Sequence, residues 1–251
     1  MDFSQIVFIL EMIGTVAFAV SGVMVARDRK MDIFGAVVLG CATAVGGGMI
    51  RDLILGVTPP VMFTKPIYVL VAALTSIIMF FWEYSRSRSG KSELSGNAEN
   101  PDSEKERRAH HDQISGDTAV SIASFARSTF SQEHNDVLLN IADSVGLAAF
   151  VVVGCRSAIE QGYQDNLFLC AFVGVLTGIG GGILRDVFAG QMPLIMRKRV
   201  YGLAAVIGAI VYCELLSYGI DVITSSAACM IITCLIRFLA IHYRWNLPSF
   251  R

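Results

Sequence analysis

The stretch VGGGMIRDLILGVTPP, which runs from Val45 to Pro60, places three consecutive glycines, an arginine and an aspartate inside otherwise apolar sequence. A second version of it, GGGILRDVFAGQMP, occupies residues 180–193. Both copies keep the glycine triplet, the Arg-Asp pair, a later glycine and a proline in register. Two copies of such an unusual pattern indicate that the chain contains an internal duplication.

Long apolar blocks surround both copies of this motif. Hydrophobic residues make up 54% of the chain and charged residues 16%, whereas soluble domains average about 25% charge. The blocks are roughly 18–22 residues long, the length that a helix needs to cross about 30 Å of hydrocarbon. The seven predicted spans are Ile6–Ala26, Ile33–Ile50, Ile67–Phe81, Val137–Cys155, Leu167–Leu184, Val200–Leu216 and Val222–Ile241. The sequence therefore predicts an all-α integral membrane protein.

The similarity between the two motif copies extends to the helices on either side. Upstream, EMIGTVAFAVSG at 11–22 aligns with DSVGLAAFVVVG at 143–154. Downstream, KPIYVLVAA at 65–73 aligns with KRVYGLAAV at 198–206. Each repeat therefore holds three spans, and because three is odd, the second repeat enters the bilayer from the opposite side. The predicted divisions are 1–84 for the first repeat, 85–135 for a linker, 136–217 for the second repeat and 218–251 for an extra seventh helix and the C-terminal tail.

The linker differs in composition from the rest of the chain. Residues 85–135 are polar and mixed in charge, so we expect them to be mainly disordered, with a weakly helical stretch at Thr118–Phe130. Lysine and arginine are concentrated in this linker and in the other connections on the same side of the predicted membrane. This bias predicts a plasma (inner) membrane protein with its N-terminus outside and its linker and C-terminus in the cytoplasm.

The glycine triplets admit more than one interpretation. Three consecutive glycines cost a helix roughly 1 kcal/mol each relative to alanine, so they imply a bend, a local unwinding or a very close backbone contact. Interrupted helices in paired positions of inverted repeats are typical of a transport site near the midplane of the membrane. Packing of small residues between helices is the alternative, and it predicts contact without a cavity. The candidate pore residues are Gly46, Gly47, Gly48, Gly180, Gly181 and Gly182.

Charged residues inside the spans form a second candidate group. An uncompensated charge in hydrocarbon costs at least about 2.5–3.5 kcal/mol, so we expect these side chains to face protein or water and to pair with one another. Glu11 and Asp143 occupy equivalent positions in the two first helices and are the expected partners of the arginines. The charges either fix each broken helix to its neighbours or line a pathway. The group comprises Arg51, Asp52, Arg185, Asp186, Glu11 and Asp143.

Several classes of function lack the residues they require. The predicted spans contain no histidine and no serine beside a base, so no nucleophile-base pair is evident and we expect no enzyme. A phosphate-binding loop needs Gly-Lys-Ser/Thr after its glycines, and both copies continue towards arginine instead. His110 and His111 stand without a third metal ligand. We therefore expect no metal and no cofactor, and a net charge of −1 gives no case for nucleic acid.

The duplicated GGGxxRD elements, in a chain of twice three spans plus one, resemble the bacterial family of glycine transporter domains, which is similar to the trimeric intracellular cation channels. The resemblance covers nearly all of the chain except residues 85–135. It implies a homotrimer in which each protomer has its own pore, bounded by kinked helices that correspond here to Ile33–Thr58 and Leu167–Met192. The lysine-glutamate-valine motif of the animal channels has no clear counterpart here, and the long polar insert departs from the compact bacterial pattern.

These observations predict a multi-pass permeation protein, a channel that passes monovalent cations through a pore in each protomer. A transporter of glycine or another small zwitterion is the alternative, and a non-transporting membrane scaffold is the least favoured. A cation requires carbonyl or carboxylate oxygens, whereas glycine also requires an arginine or a helix N-terminus for its carboxylate. The expected partners are further copies of the chain, the lipid bilayer and the permeant cation or glycine.

Overall fold

The computed structural model describes the backbone of residues 3–96, 116–197, 200–243 and 245, and the side chains of residues 5–86 and 136 onward within those ranges. The described backbone is helical, with short connections. We number the helices in chain order: α1 (Phe3–Asp28), α2 (Ile33–Ile54), α3 (Val61–Thr64), α4 (Ile67–Gly96), α5 (Gly116–Ala158), α6 (Leu167–Phe188), α7 (Leu194–Arg197), α8 (Val200–Ser217) and α9 (Val222–His242). A π-helical turn, Ile159–Tyr163, extends α5.

Seven of these helices are long and apolar enough to cross a membrane, which confirms the predicted spans. Both repeats follow the same order of a first long helix, a second long helix that carries the glycine triplet, a short helix and a third long helix. Accordingly α1 to α4 correspond to α5 to α8, and α9 has no counterpart in the first repeat. The spans are Gln5–Asp28, Ile33–Ile54, Ile67–Arg86, Asp136–Tyr163, Leu167–Phe188, Val200–Ser217 and Val222–His242.

The two repeats pack against each other through their first and second helices. Helix α1 contacts α5, and α2 contacts α6. Between the first helices, the buried rings of Phe18 and Phe150 lie 5.3 Å apart, centroid to centroid. Each ring covers a glycine of the opposite helix, Gly146 and Gly14 respectively. Because water exclusion does not drive association inside lipid, this close, reciprocal packing is what joins the repeats.

The predicted linker is helical wherever its backbone is described. Helix α4 continues past the membrane span to Gly96, and α5 begins at Gly116, so it includes the stretch Thr118–Phe130. Helix is therefore found on both flanks of the segment expected to be mainly disordered, including Thr118–Phe130, for which the sequence predicts a helical stretch. Residues 97–115 lie outside the described part of the chain. Once a buried span has nucleated a helix, polar residues extend it at little cost, because propagation adds one hydrogen bond per residue.

Helix ends account for the glycine that follows the triplet in each copy of the motif. Gly56 follows α2 and Gly190 follows α6, with φ angles of 72° and 64°, the left-handed conformation in which glycine carries no Cβ penalty. The amide after each glycine donates to the carbonyl of the motif aspartate, at 2.8 and 2.9 Å. Helix α9 is capped at its start by Asp221, whose side chain accepts hydrogen bonds from the Thr224 amide and hydroxyl. These two hydrogen bonds lower the pKa of Asp221.

Candidate functional site

The middle glycines of the two triplets bring the backbones of α2 and α6 into contact. A Cβ atom on Gly47 would overlap the backbone carbonyl oxygen of Thr177, and one on Gly181 would overlap that of Thr43. Both contacts are to backbone, which cannot rotate away as a flexible side chain can. Any residue larger than glycine at these two positions would therefore push the helices apart.

The first glycine of each triplet also serves packing. The side chain of Leu184 fills the space beside Gly46, while Ile50 Cδ1 lies 3.1 Å from the point where a Cβ on Gly180 would stand. Helices α2 and α6 continue without interruption through both triplets. Of the three interpretations of the glycines, local unwinding is therefore not found, and close backbone contact is.

The third glycine of the first repeat faces open space. Within 4 Å of the point where a Cβ on Gly48 would stand, the structure places one neighbouring atom, Arg51 Nη2 at 3.9 Å. A cavity of about 30 Å³ opens here, between α1, α2 and α4. It has room for about two water molecules. Its lining consists of Glu11, Thr15, Ala44, Val45, Gly48, Arg51, Asp52, Val61, Met62, Tyr68 and Phe150.

Polar groups converge on this cavity, and we call Glu11, Arg51, Asp52 and Tyr68, grouped around Gly48, the first half-site. Arg51 Nε donates to Asp52 Oδ1 at 2.8 Å, and Arg51 Nη1 lies 3.7 Å from Glu11 Oε1. The Tyr68 hydroxyl donates to Glu11. The Glu11 side chain retains 16% of its accessible surface. The first half-site is thus a partly open cluster in which an arginine and a tyrosine hold one accessible carboxylate.

The equivalent residues of the second repeat, Asp143, Arg185, Asp186 and Tyr201 around Gly182, form the second half-site. Arg185 Nη1 lies 2.7 Å from Asp143 Oδ1, and Arg185 Nε lies 2.8 Å from Asp186 Oδ1. The side chains of the arginine and both aspartates have no accessible surface. The second half-site thus repeats the arrangement of the first, but the arginine lies closer to the partner carboxylate, and that carboxylate is fully buried.

The aspartate of each Arg-Asp pair also holds the short helix that follows. Asp52 Oδ2 accepts from the Val61 amide at 2.8 Å, and Asp186 Oδ2 accepts from the Leu194 amide at 2.7 Å. Both donors are the first residues of short helices, where backbone amides have no partner within the helix. Each aspartate therefore joins its arginine to the next element of the fold, as expected for residues that fix a helix to its neighbours.

Arg237 of α9 belongs to the second half-site, although the sequence analysis missed it. Its Nη2 lies 3.5 Å from Asp143 Oδ2, its Nε donates to Ser144 Oγ at 3.2 Å, and its guanidinium lies 4.5 Å above the Tyr201 ring. An arginine within an apolar span is itself an indication of function or pairing. It was overlooked because α9 has no counterpart in the duplication with which to align it.

The two half-sites consequently differ in charge. Among the described side chains, the first half-site has two carboxylates, Glu11 and Asp52, and one guanidinium, Arg51. The second has two carboxylates and, with Arg237, two guanidinium groups. Formal charge is therefore −1 around Gly48 and zero around Gly182. Elsewhere in the described chain, no three His, Cys, Asp or Glu side chains are placed to hold a metal ion.

Comparison with known proteins agrees with this duplicated arrangement. The family model described as glycine transporter matches residues 8–84 and 140–217, once for each repeat. The chain belongs to the glycine transporter family. The UPF0126 inner membrane protein YadS of Escherichia coli is 32% identical over 247 residues, which are 98% of this chain and 97% of that protein. A UPF0126 membrane protein of Vibrio cholerae is also 32% identical over 247 residues, 98% of this chain and 84% of that protein.

Solved structures of TRIC cation channels share the fold of this family member. The TRIC trimeric intracellular cation channel orthologue from Rhodobacter sphaeroides is 29% identical, with a TM-score of 0.71 over 96% of this chain and 100% of that one. A prokaryotic TRIC channel in 0.5 M KCl is 25% identical, with a TM-score of 0.73 over 98% of this chain and 100% of that one. These matches confirm the predicted fold class and the resemblance, and they point to a membrane channel rather than an enzyme.

Proposed function

We propose that the protein is a channel for monovalent cations in the inner membrane, and that each protomer of a homotrimer contains its own route. The observation that carries the proposal is the cavity beside Gly48, which is lined mainly by residues of membrane-spanning helices and has a formal charge of −1. The similarity to channels that are named as trimeric and cation-conducting supports it. The family description names glycine, but the solved relatives favour a cation.

The chemistry of the first half-site suits a weakly held cation. A permeant ion needs oxygen atoms that replace part of its hydration shell without binding it so tightly that it cannot leave. Glu11 offers a carboxylate that is partly accessible, while Arg51 at 3.7 Å moderates its negative charge. The cavity of about 30 Å³ accommodates an ion together with water. One carboxylate whose negative charge is partly offset by a nearby arginine should bind a cation weakly enough to let it pass.

The crossing of α2 and α6 separates the two half-sites. In each helix the half-site residues follow the crossing glycine, Gly47 or Gly181, by one to five positions. Because the repeats are inverted, we infer that the two half-sites lie on opposite sides of the crossing. The ring of Phe18 lies 3.1 Å from the place where a Cβ on Gly181 would stand and packs against Phe150. In our proposal, conduction requires that these rings and the crossing helices move apart enough to connect the two half-sites.

A transporter of glycine is the second candidate, and one observation favours it. The cavity presents a guanidinium, Arg51, next to two carboxylates, Glu11 and Asp52, so that both ends of a zwitterion would find a complementary group. Arg51 is already engaged at 2.8 Å by Asp52 and at 3.7 Å by Glu11. A glycine carboxylate would have to compete with these partners, which is why we rank the cation first.

The test is a comparison of potassium flux and labelled glycine uptake in liposomes that contain the purified protein. We expect potassium flux, its loss in the variant Glu11→Gln, and no glycine uptake above that of empty liposomes. Glu160→Gln is the matched control, because it removes an exposed carboxylate in the π-helical turn that follows α5. Saturable glycine uptake that requires Arg51, without potassium flux, would replace the cation proposal by the zwitterion proposal.

We further propose that the N-terminus lies outside and that residues 85–135 and the C-terminus are cytoplasmic, on the basis of the lysine and arginine bias. A cysteine introduced at Ser95 should then resist labelling by an impermeant maleimide in intact cells and react after the cells are opened. The parent chain, which has six free cysteines of its own, gives the background. Efficient labelling from outside would reverse the orientation and leave the inverted repeat intact.

A further inference from the structure

The second half-site contains a positively charged group that the first half-site lacks, the guanidinium of Arg237. Arg237 lies on α9, the helix without a counterpart in the first repeat, and 1% of its surface is exposed. Its guanidinium contacts Asp143 and Ser144 and covers the ring of Tyr201. Carboxylate oxygen, hydroxyl oxygen and an aromatic face are the groups that together bind an organic cation such as guanidinium. The side chain of Arg237 thus occupies a surface suited to a free cation.

Removal of Arg237 would leave the second half-site with the composition of the first. Asp143 and Asp186 would remain, with Arg185 as the one guanidinium between them. An unbalanced buried carboxylate is costly inside a membrane, so it would either take up a proton or attract a cation from solution. The duplication therefore supplies an internal reference, because the first half-site shows the corresponding residues, with Glu11 in place of Asp143, without a tethered cation.

The second half-site also retains a polar group that the fold does not satisfy. Among the described residues, the buried Arg185 Nη2 has no hydrogen-bond partner, and the buried Tyr201 hydroxyl has only the Asp143 carboxylate as a neighbouring acceptor. Both lie beside Gly182, 3.7 and 3.2 Å from the place where a Cβ would stand, and Asp143 Oδ1 lies 3.8 Å from the same place. This is the position that the cavity beside Gly48 occupies in the first repeat. The second half-site is thus a polar position that has been closed and neutralised.

We propose that the second half-site is a second cation site whose occupant is the side chain of Arg237, and that guanidinium-type cations take its place when that side chain is removed. By holding this half-site at zero net charge, Arg237 keeps the route selective for monovalent ions, since a second negative half-site in series would retain divalent cations. The selectivity part rests on the proposed cation channel. The occupancy part does not.

Chemical rescue tests occupancy without any flux measurement. Arg237→Ala should lower the thermal unfolding temperature of the purified protein, and methylguanidinium chloride should restore it with roughly millimolar affinity. Sodium chloride at equal ionic strength should not. Methylguanidinium should not raise the unfolding temperature of wild type, whose site is already filled by Arg237. It should also leave the double variant Asp143→Asn/Arg237→Ala unchanged, because that variant lacks the Asp143 carboxylate. Equal shifts in wild type, or a full response of the double variant, would overturn the proposal.

Selectivity is tested with Arg237→Gln and Arg237→Lys, which keep a long polar side chain and differ in charge. We expect Ba²⁺ to inhibit potassium flux through the glutamine variant at a concentration about tenfold lower than in wild type, or about 1.4 kcal/mol. The lysine variant should match wild type, and Asp143→Asn/Arg237→Gln should lose the added sensitivity. Identical inhibition of the glutamine and lysine variants would overturn the selectivity part.

The outcomes of the rescue and selectivity experiments can be told apart from a failure of the proposed function. If wild type conducts no potassium, the proposed function is wrong, and the rescue of Arg237→Ala still decides occupancy. If Arg237→Ala does not fold, Ba²⁺-dependent thermal shifts of Arg237→Gln against Arg237→Lys decide it instead. Stabilisation of the glutamine variant alone supports a free site beside Asp143, and equal shifts contradict it.

Discussion

The first and second half-sites use the same motif for different ends. Each has a glycine triplet, an Arg-Asp pair, a partner carboxylate from the first helix and a tyrosine from the third. Yet the first is partly open around a cavity, and the second is sealed. Two differences outside the motif accompany this contrast: Thr15, which lines the cavity, corresponds to the fully buried Leu147, and Arg237 has no equivalent in the first repeat. A duplicated framework can thus specialise through the residues packed against it.

Substitution of both crossing glycines should have the largest effect, because it removes what the half-sites share. In Gly47→Leu/Gly181→Leu, each new side chain meets a backbone carbonyl that cannot yield. Overpacking costs roughly 1–3 kcal/mol or more per site, so we expect little folded protein by size-exclusion chromatography. Val38→Leu, at an exposed position of α2, is the control. A folded double variant that retains wild-type flux would remove the crossing from the route.

Loss of the central arginine should separate the two half-sites clearly. Arg185→Met leaves two inaccessible aspartates short of a partner, and breaking a buried pair costs about 3–5 kcal/mol. Arg51→Met should lose clearly less stability than Arg185→Met, because Glu11 is partly exposed and lies 3.7 Å from the arginine. Thermal unfolding of both variants in one detergent measures the difference. Equal losses of stability in the two variants would show that the exposure of Glu11 does not weaken the contribution of Arg51 to stability.

An exchange between Thr15 and Leu147 should make each half-site resemble the other. Thr15→Leu fills the cavity, so we expect potassium flux to fall about tenfold while thermal stability is kept or raised, as for other cavity-filling changes. Leu147→Thr removes apolar volume from a buried site and should cost about 1–3 kcal/mol. Flux and unfolding temperature are measured on the same samples. Wild-type flux in Thr15→Leu would exclude this cavity from the pathway.

Alanine at the third glycine of each triplet should have the smallest effect. In Gly48→Ala the new Cβ meets only Arg51 Nη2, at 3.9 Å, and the helix gains up to about 1 kcal/mol of propensity. In Gly182→Ala the Cβ stands 3.2 Å from the Tyr201 hydroxyl, so we expect that gain to be cancelled. Thermal unfolding distinguishes the two. A larger loss in Gly48→Ala than in Gly182→Ala would reverse the assignment of the open half-site.

The sequence by itself determined the seven spans and the inverted duplication, because both depend on properties that the chain displays in order: apolar length and a motif repeated in register. It also indicated that Glu11 and Asp143 face the arginines, since equivalent positions in two repeats must meet equivalent partners. In the linker the sequence indicated helix only at Thr118–Phe130, whereas the described flanks are helical throughout. Composition shows how much surface a segment can bury and does not reveal a helix that extends from a buried span.

Only the tertiary structure showed what the glycines do. A glycine in the sequence indicates that a side chain is absent, but it does not indicate which atoms fill the space. At Gly47 and Gly181 the occupant is backbone, at Gly46 it is a leucine, and at Gly48 it is open space. The structure likewise decided the pairing of Arg237, which depends on a contact between residues 94 positions apart in the chain. Apolar periodicity is local, whereas the charge balance of a buried site is set by every helix packed around it.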